Sequence, residues 1–255
     1  MDTLFKITAI CGALAWLPQI ITWLTNWCTK PKLKIMTDTE AQVGYIAFGS
    51  VLNINLSFIS KNKSSLIENM ELEIKDKNNA THTLKWAWYG ETYYELKAPF
   101  ASATMGKQQK AIAISAYKNM LVEKLVGFQS VDFREKKKEL INKINQLVEN
   151  QKYTGSIDVE SIKKSGEYVE LMRLYDDSII WTKGSYYAQC KVYISGNKTP
   201  FTHNFSFMLT ETDISNLKNN VDLAKLIIEK TYFPDNNNIE DSWLWANPAI
   251  TSLNQ

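Results

Sequence analysis

Residues 52–58 read Leu-Asn-Ile-Asn-Leu-Ser-Phe, an unbroken alternation of apolar and polar side chains. Successive side chains of an extended chain point to opposite faces, so this stretch predicts a strand with one buried and one wet face. Ile59 breaks the alternation, and the polar run Ser60–Ser65 ends it. The same period returns downstream. Met70, Leu72 and Ile74 alternate with Glu71, Glu73 and Lys75. After a turn at Lys77, Asn78 and Asn79, Leu84, Trp86 and Trp88 alternate with Lys85 and Ala87. Three strands with turn signals between them predict an antiparallel meander or the start of a sandwich.

The middle of the chain reads as helix. Ala111–Val126 mixes apolar residues with Lys118, Glu123 and Lys124. Asp132 is placed to cap a helix from Phe133 to about Lys152, with Leu140, Ile141, Ile144, Leu147 and Val148 on one face. A further amphipathic segment covers Tyr168–Tyr175. Strands then return at Tyr186–Ile194 and at Phe201–Leu209, joined by the turn cluster Ser195–Gly196–Asn197 into a predicted hairpin. A last helix starts near Thr212 or Asp213 and carries Leu217, Val221, Ala224 and Ile228. The tail holds Trp243, Trp245 and Pro248, which predicts an irregular segment docked on the domain or on a neighbour.

The 255 residues carry a formal net charge of +2, with 45% hydrophobic and 22% charged side chains. That balance excludes wholesale disorder, a collagen-like fibre and a strongly basic nucleic-acid-coating protein. A mean hydropathy of -0.26 excludes a polytopic membrane protein but leaves room for one span. From Ile7 to Thr29 no charged residue occurs, a run of 23 positions. Since about 20 apolar residues cross a bilayer core, the run predicts a retained membrane helix. Lys30, Lys32 and Lys34 follow it, and by the positive-inside tendency they place the large domain in the cytoplasm of a bacterium, below its inner membrane. Thr8, Gly12, Ala15, Gln19, Thr22, Asn26 and Thr29 recur at spacings of four and three, forming one small and polar stripe. Such a stripe either packs the helix against copies of itself or lines a polar pore. Pro18 removes one backbone bond in mid-span and predicts a kink.

The order strands, helices, strands, helix is not that of a parallel α/β fold. The expected fold is therefore α+β. A single transmembrane helix at 1–29 precedes an immunoglobulin-like antiparallel β-sandwich over 30–255, with a helical insertion at about 100–178.

Signatures of catalysis are missing from the sequence. It has no Gly-rich phosphate loop, no GxSxG, no HExxH and no paired-Cys zinc pattern. With two His and three Cys, few metal sites or triads can be assembled. His203 and Cys190 both fall on apolar strand phases, which predicts core roles. The expectation is a chain without catalytic activity, cofactor or metal. The candidate anion-binding residues are basic: Lys107, Lys110, Arg134, Lys136, Lys137, Lys138, Lys163, Lys164 and Arg173. They form either a solvated helix face or a site for a nucleotide, an oligonucleotide or a lipid headgroup.

One amino-terminal helix with a polar stripe (Ile7–Thr29), followed by a sensor-sized domain without catalytic residues, resembles the membrane effectors of bacterial antiviral defence. The nearest layout is that of the membrane subunit of Hailong defence. The resemblance covers this layout rather than a motif, and no ligand residue is carried over from it. It implies a homotetrameric one-helix channel, held shut by an oligodeoxynucleotide that a partner nucleotidyltransferase supplies. The expected function is thus a homo-oligomeric, single-pass effector whose cytoplasmic domain senses a nucleotide or oligonucleotide and gates the helices. The alternative is a membrane-tethered binding or scaffold module without a pore.

Overall fold

The alternating stretch lies in the middle of strand β2 (Gly49–Lys61), with Leu52, Ile54, Leu56 and Phe58 all buried. The computed structural model describes residues 15–24, 29–98, 101–234 and 242–253, and their side chains except at 91–98, 101–106 and 154. Ahead of β2 runs β1 (Lys32–Ile46). After it come β3 (Ser65–Lys75), β4 (Thr81–Ala98), β5 (Ala101–Lys110), β6 (Ile114–Ala116) and β7 (Leu121–Gln129). Beyond the helices come β8 (Gly184–Ile194), β9 (Phe201–Leu209) and the short β10 (Thr251–Leu253).

These strands form one ten-stranded sheet in the order β1-β2-β7-β4-β3-β8-β9-β10, with β5 added to β4 and β6 to β3. Every ladder is antiparallel. Register explains why one face is apolar. Leu52 pairs with Val43 on one side and Phe128 on the other, and Phe128 pairs with Trp86. Further round, Leu72 sits between Leu84 and Cys190. All of these belong to one buried cluster, which the curled sheet encloses. Burying each such side chain contributes roughly 1.5–3 kcal/mol.

The sheet closes almost completely through the chain's end. Val43 N–H donates to Ala246 O at 2.8 Å, and Ala246 N–H returns the bond to Val43 O at 2.9 Å. Ala41 N–H donates to Pro248 O, and Ile250 N–H to Thr39 O. Directly after Ile250, β10 pairs with β9. The tail is thus the stave between the first strand and the last.

Five helices are found among the described residues: α1 (described over 15–24), α2 (Val131–Thr154), α3 (Val159–Lys163), α4 (Gly166–Asp177) and α5 (Glu211–Tyr232). The start of α2 is set by Ser130, whose hydroxyl accepts from Phe133 N–H, and α5 begins at a capping box between Thr210 and Asp213. From these helices Phe133, Ile144, Leu171, Tyr175 and Ala224 form a second core with Tyr45 of β1. The Tyr45 hydroxyl donates to Tyr175 O at 2.8 Å and tethers the end of α4 to the sheet.

Three sequence expectations are corrected here. The immunoglobulin-like sandwich is instead a mixed α/β fold around a nearly closed, barrel-like antiparallel sheet, because β2 is bonded on both flanks and no break separates two layers. The helical insertion shrinks accordingly. Ala111–Val126, rich in helix formers, contributes β6 and most of β7, which find ladder partners on β3, β2 and β4. Neighbouring strands override local propensity there. Finally, no helix among the described residues is long and apolar enough to cross a membrane. The transmembrane helix, and the single-pass inner-membrane placement drawn from it, are therefore not retained.

Ala246→Pro tests the closure. The substitution removes the N–H that serves the buried Val43 carbonyl, so urea unfolding is expected to show stability lower by about 2 kcal/mol.

Candidate functional site

On the outer face of β1, β2, β7 and β4 lies a cleft of about 500 Å³. That volume falls in the range of small-molecule sites. Its floor is laid by strand phase. Asn53 pairs with Gly127 in the β2–β7 ladder, and Gly127 pairs with Trp88 on β4. Val51, Gly90, Leu125 and Gln129 share this face and line the cleft with them. Trp88 gets there through a register shift between Trp86 and Trp88. The extra residue turns Trp86 inward and Trp88 outward, although both occupy the same phase of the sequence. The shifted backbone is pinned by Trp86 Nε1–H, which donates to Trp88 O at 2.9 Å.

The opposite wall is the tail, with Trp243 and Trp245. Between these two indoles, Leu244 is clamped by the buried Asn220 of α5. The Asn220 amide donates to Leu244 O at 2.7 Å, and its carbonyl accepts from Leu244 N–H at 3.0 Å. Trp245 of the wall and Trp88 of the floor each rest on a glycine. A Cβ on Gly44 would fall 2.4 Å from Trp245 Cζ3, and one on Gly127 would fall 2.1 Å from Trp88 Cε2. Only a bare Cα permits either ring to lie where it does.

The polar content of the cleft is sparse and placed. Asn53 is only 5% exposed, and its Oδ1 is buried without a hydrogen-bond partner among the described residues. Leaving a buried acceptor unpaired costs about 1–3 kcal/mol, so the position asks for a donor from outside the protein. Gln129 is half-buried nearby, while Gln108 and Lys107 of β5 stand exposed in the lining.

Of the basic residues singled out in the sequence, the structure brings only Lys107 to this cleft. Lys110 is exposed on β5, and Arg134 and Lys138 are exposed on α2. Lys136 and Arg173 line a separate groove between α2 and α4, where Asp132, Glu139, Glu170 and Asp177 offset their charge. Lys137 is structural. Its ammonium donates to Ala47 O at 2.6 Å and lies 5.5 Å from the ring centres of Phe48 and Tyr175. Burial lowers its pKa. Lys163 pairs with Glu229 at 2.5 Å, Lys164 with Glu160 at 3.8 Å, and Arg173 with Asp177 at 3.9 Å. These charges are dispersed over the helical layer and do not converge.

The small polar stripe fares similarly. Ala15, Gln19 and Thr22 are exposed on α1, and the Thr22 hydroxyl donates to Pro18 O at 2.7 Å. Thr29 lies just ahead of β1, while Thr8, Gly12 and Asn26 fall outside the described residues. Cys190 is buried, and desolvation pushes its thiol up to about 12. His203 is half-buried, its Nε2 3.3 Å from the Thr37 hydroxyl, and burial lowers its pKa. The sequence reading missed Asn53, Gln129 and the pairing of Trp88 with the tail. Glycines at 44 and 127 on the wet phase of otherwise well-filled strands were the available signal.

Gly127→Ala is expected to lower stability by about 1–3 kcal/mol, because Trp88 must leave its seat. In a Trp88→Ala background the same change should cost less than about 0.5 kcal/mol, a non-additivity that a double-mutant cycle by urea unfolding measures.

No protein-family model and no curated protein matches the sequence. Among solved structures, the chain is similar to a family 123 glycoside hydrolase from Clostridium perfringens, described for glycolipid glycan hydrolysis, at 9% identity and a TM-score of 0.32. The match covers 71% of this chain and 28% of that one, so the chain spans well under a third of the enzyme's length. The expectation of a chain without catalytic activity is not retained; at this TM-score the likeness carries no activity, substrate or mechanism to the present chain.

Proposed function

We propose that the chain is a ligand-binding module whose cleft takes a mononucleotide. The observation that carries this reading is the unpaired Asn53 Oδ1 at the floor of a tryptophan-lined cleft. A base supplies what that floor lacks: an amino or ring N–H to donate to Oδ1, and a flat π-face to lie against an indole. Base–aromatic stacking contributes about 1–3 kcal/mol per base. Lys107 supports the anionic half of the ligand, since an exposed ammonium in the lining suits a phosphate. A nucleotide held between sheet and tail would favour the docked tail, and so reports its presence only through different affinity for the docked and undocked states.

Isothermal titration with AMP, GMP, CMP and UMP, against glucose as the hydroxyl-rich control, tests the proposal. At least one nucleotide should bind and glucose should not. Lys107→Ala should weaken the nucleotide while leaving the matching nucleoside unchanged. Asn53→Leu should weaken both by about tenfold or more, yet raise stability by roughly 1 kcal/mol, because it removes the orphaned acceptor. Binding of glucose alone, or undiminished nucleotide binding by Asn53→Leu, would contradict the reading.

A further inference from the structure

A second concavity lies where the barrel fails to close. The bonds between β1 and the tail cover Thr39–Val43, and β10 covers β9 only over Asn204–Ser206. Below Thr37, the edge of β1 that faces away from β2 has no backbone partner over Lys32–Thr37 among the described residues. Thr37 marks the apex, with its hydroxyl 3.3 Å from His203 Nε2 and 3.1 Å from Ser252 Oγ. From there a slot of about 540 Å³ opens between β1 on one side and β9 and β10 on the other.

The slot has the chemistry of a strand's seat. Leu33 and Ile35 on β1 are buried toward the apolar interior. Lys32 and Lys34, on the alternate phase, are exposed, and Lys61 of β2 joins them in the lining. No acidic residue lines the slot among the described residues. Lys32 and Lys61 stand directly opposite each other in the β1–β2 ladder. Like charges in that position destabilise a sheet, so the folded chain gains nothing from them on its own. An unpaired edge of this kind also invites pairing with another chain.

We propose that the slot binds an extended acidic segment of a partner protein, which adds a strand to the free edge of β1. Main-chain bonds to the β1 edge would supply affinity. Alternation would supply specificity: apolar side chains toward Leu33 and Ile35, and carboxylates outward beside Lys32, Lys34 and Lys61.

Fluorescence anisotropy with a labelled Val-Glu-Val-Asp-Val-Glu peptide tests this directly. Salt-sensitive binding is expected, with amide shifts at 33–36 in a nitrogen-15 spectrum. The same peptide with lysines for the acids should bind at least about tenfold more weakly, and so should Lys32→Glu/Lys61→Glu protein toward the acidic peptide. A peptide N-methylated on alternate amides keeps its charge but cannot extend a sheet; it too should lose about tenfold or more. Equal binding of the N-methylated peptide, or full competition by inorganic phosphate, would reduce the slot to a plain anion patch and overturn the proposal. So would occupation of the slot by a second copy of this chain, seen as a concentration-dependent dimer that Lys32→Glu/Lys61→Glu abolishes.

Discussion

Two reciprocal hydrogen bonds between Val43 and Ala246 hold the remainder of this molecule in place. They fasten the chain's end to its first strand, and three consequences follow. The curled sheet gains a stave, so that its apolar interior is shielded along β1. Trp245 is brought flat onto the bare Cα of Gly44. The segment between α5 and β10 becomes the wall of a cleft instead of a loose end, with Asn220 clamping Leu244 between the two tryptophans. A surface site normally rests on loops carried by a rigid scaffold. Here the scaffold and the wall of the site are closed by the same bonds.

Stability and binding pull against each other at Asn53. The residue occupies the wet phase of a central strand, yet Trp88 and the tail cover that phase and leave it only 5% exposed. A side chain chosen for folding alone would be apolar there, because Val51 two residues earlier is apolar and equally covered. An amide with an unpaired oxygen is therefore a cost to the folded state that only an external donor offsets. The lysine pair at the seam has the same logic, in that Lys32 and Lys61 repel each other unless an anion lies between or beside them.

Much of the fold was legible from period alone. The strands at 52–58, 70–74, 186–194 and 201–209 lie within β2, β3, β8 and β9, and the helices read at 133–152, 168–175 and from 212 lie within α2, α4 and α5. The cap of α2 was misplaced at Asp132, two residues past Ser130, and α5, read as starting near Thr212 or Asp213, starts at Glu211 after its cap Thr210. β7 was illegible because its alanine-rich approach favours helix until flanking strands supply bonds. The candidate site was hidden more deeply. Charge pointed to the helical layer, where most lysines and arginines satisfy local acids or carbonyls. The cleft depends on a register shift beside Trp88 and on a tail returning to β1 across some two hundred residues, and neither leaves a local pattern. The uncharged run at 7–29 suggested a span, but no helix among the described residues is long and apolar enough to cross a membrane.

Native-state amide hydrogen exchange tests the central claim, that the tail is part of the barrel rather than a segment resting on it. If the claim holds, the amides of Ala41, Val43 and Ala246 exchange only through global unfolding, with the same free energy as the amide of Leu72 in the middle of β3. Exchange of these three amides by local opening, at a free energy well below that of Leu72, would contradict it.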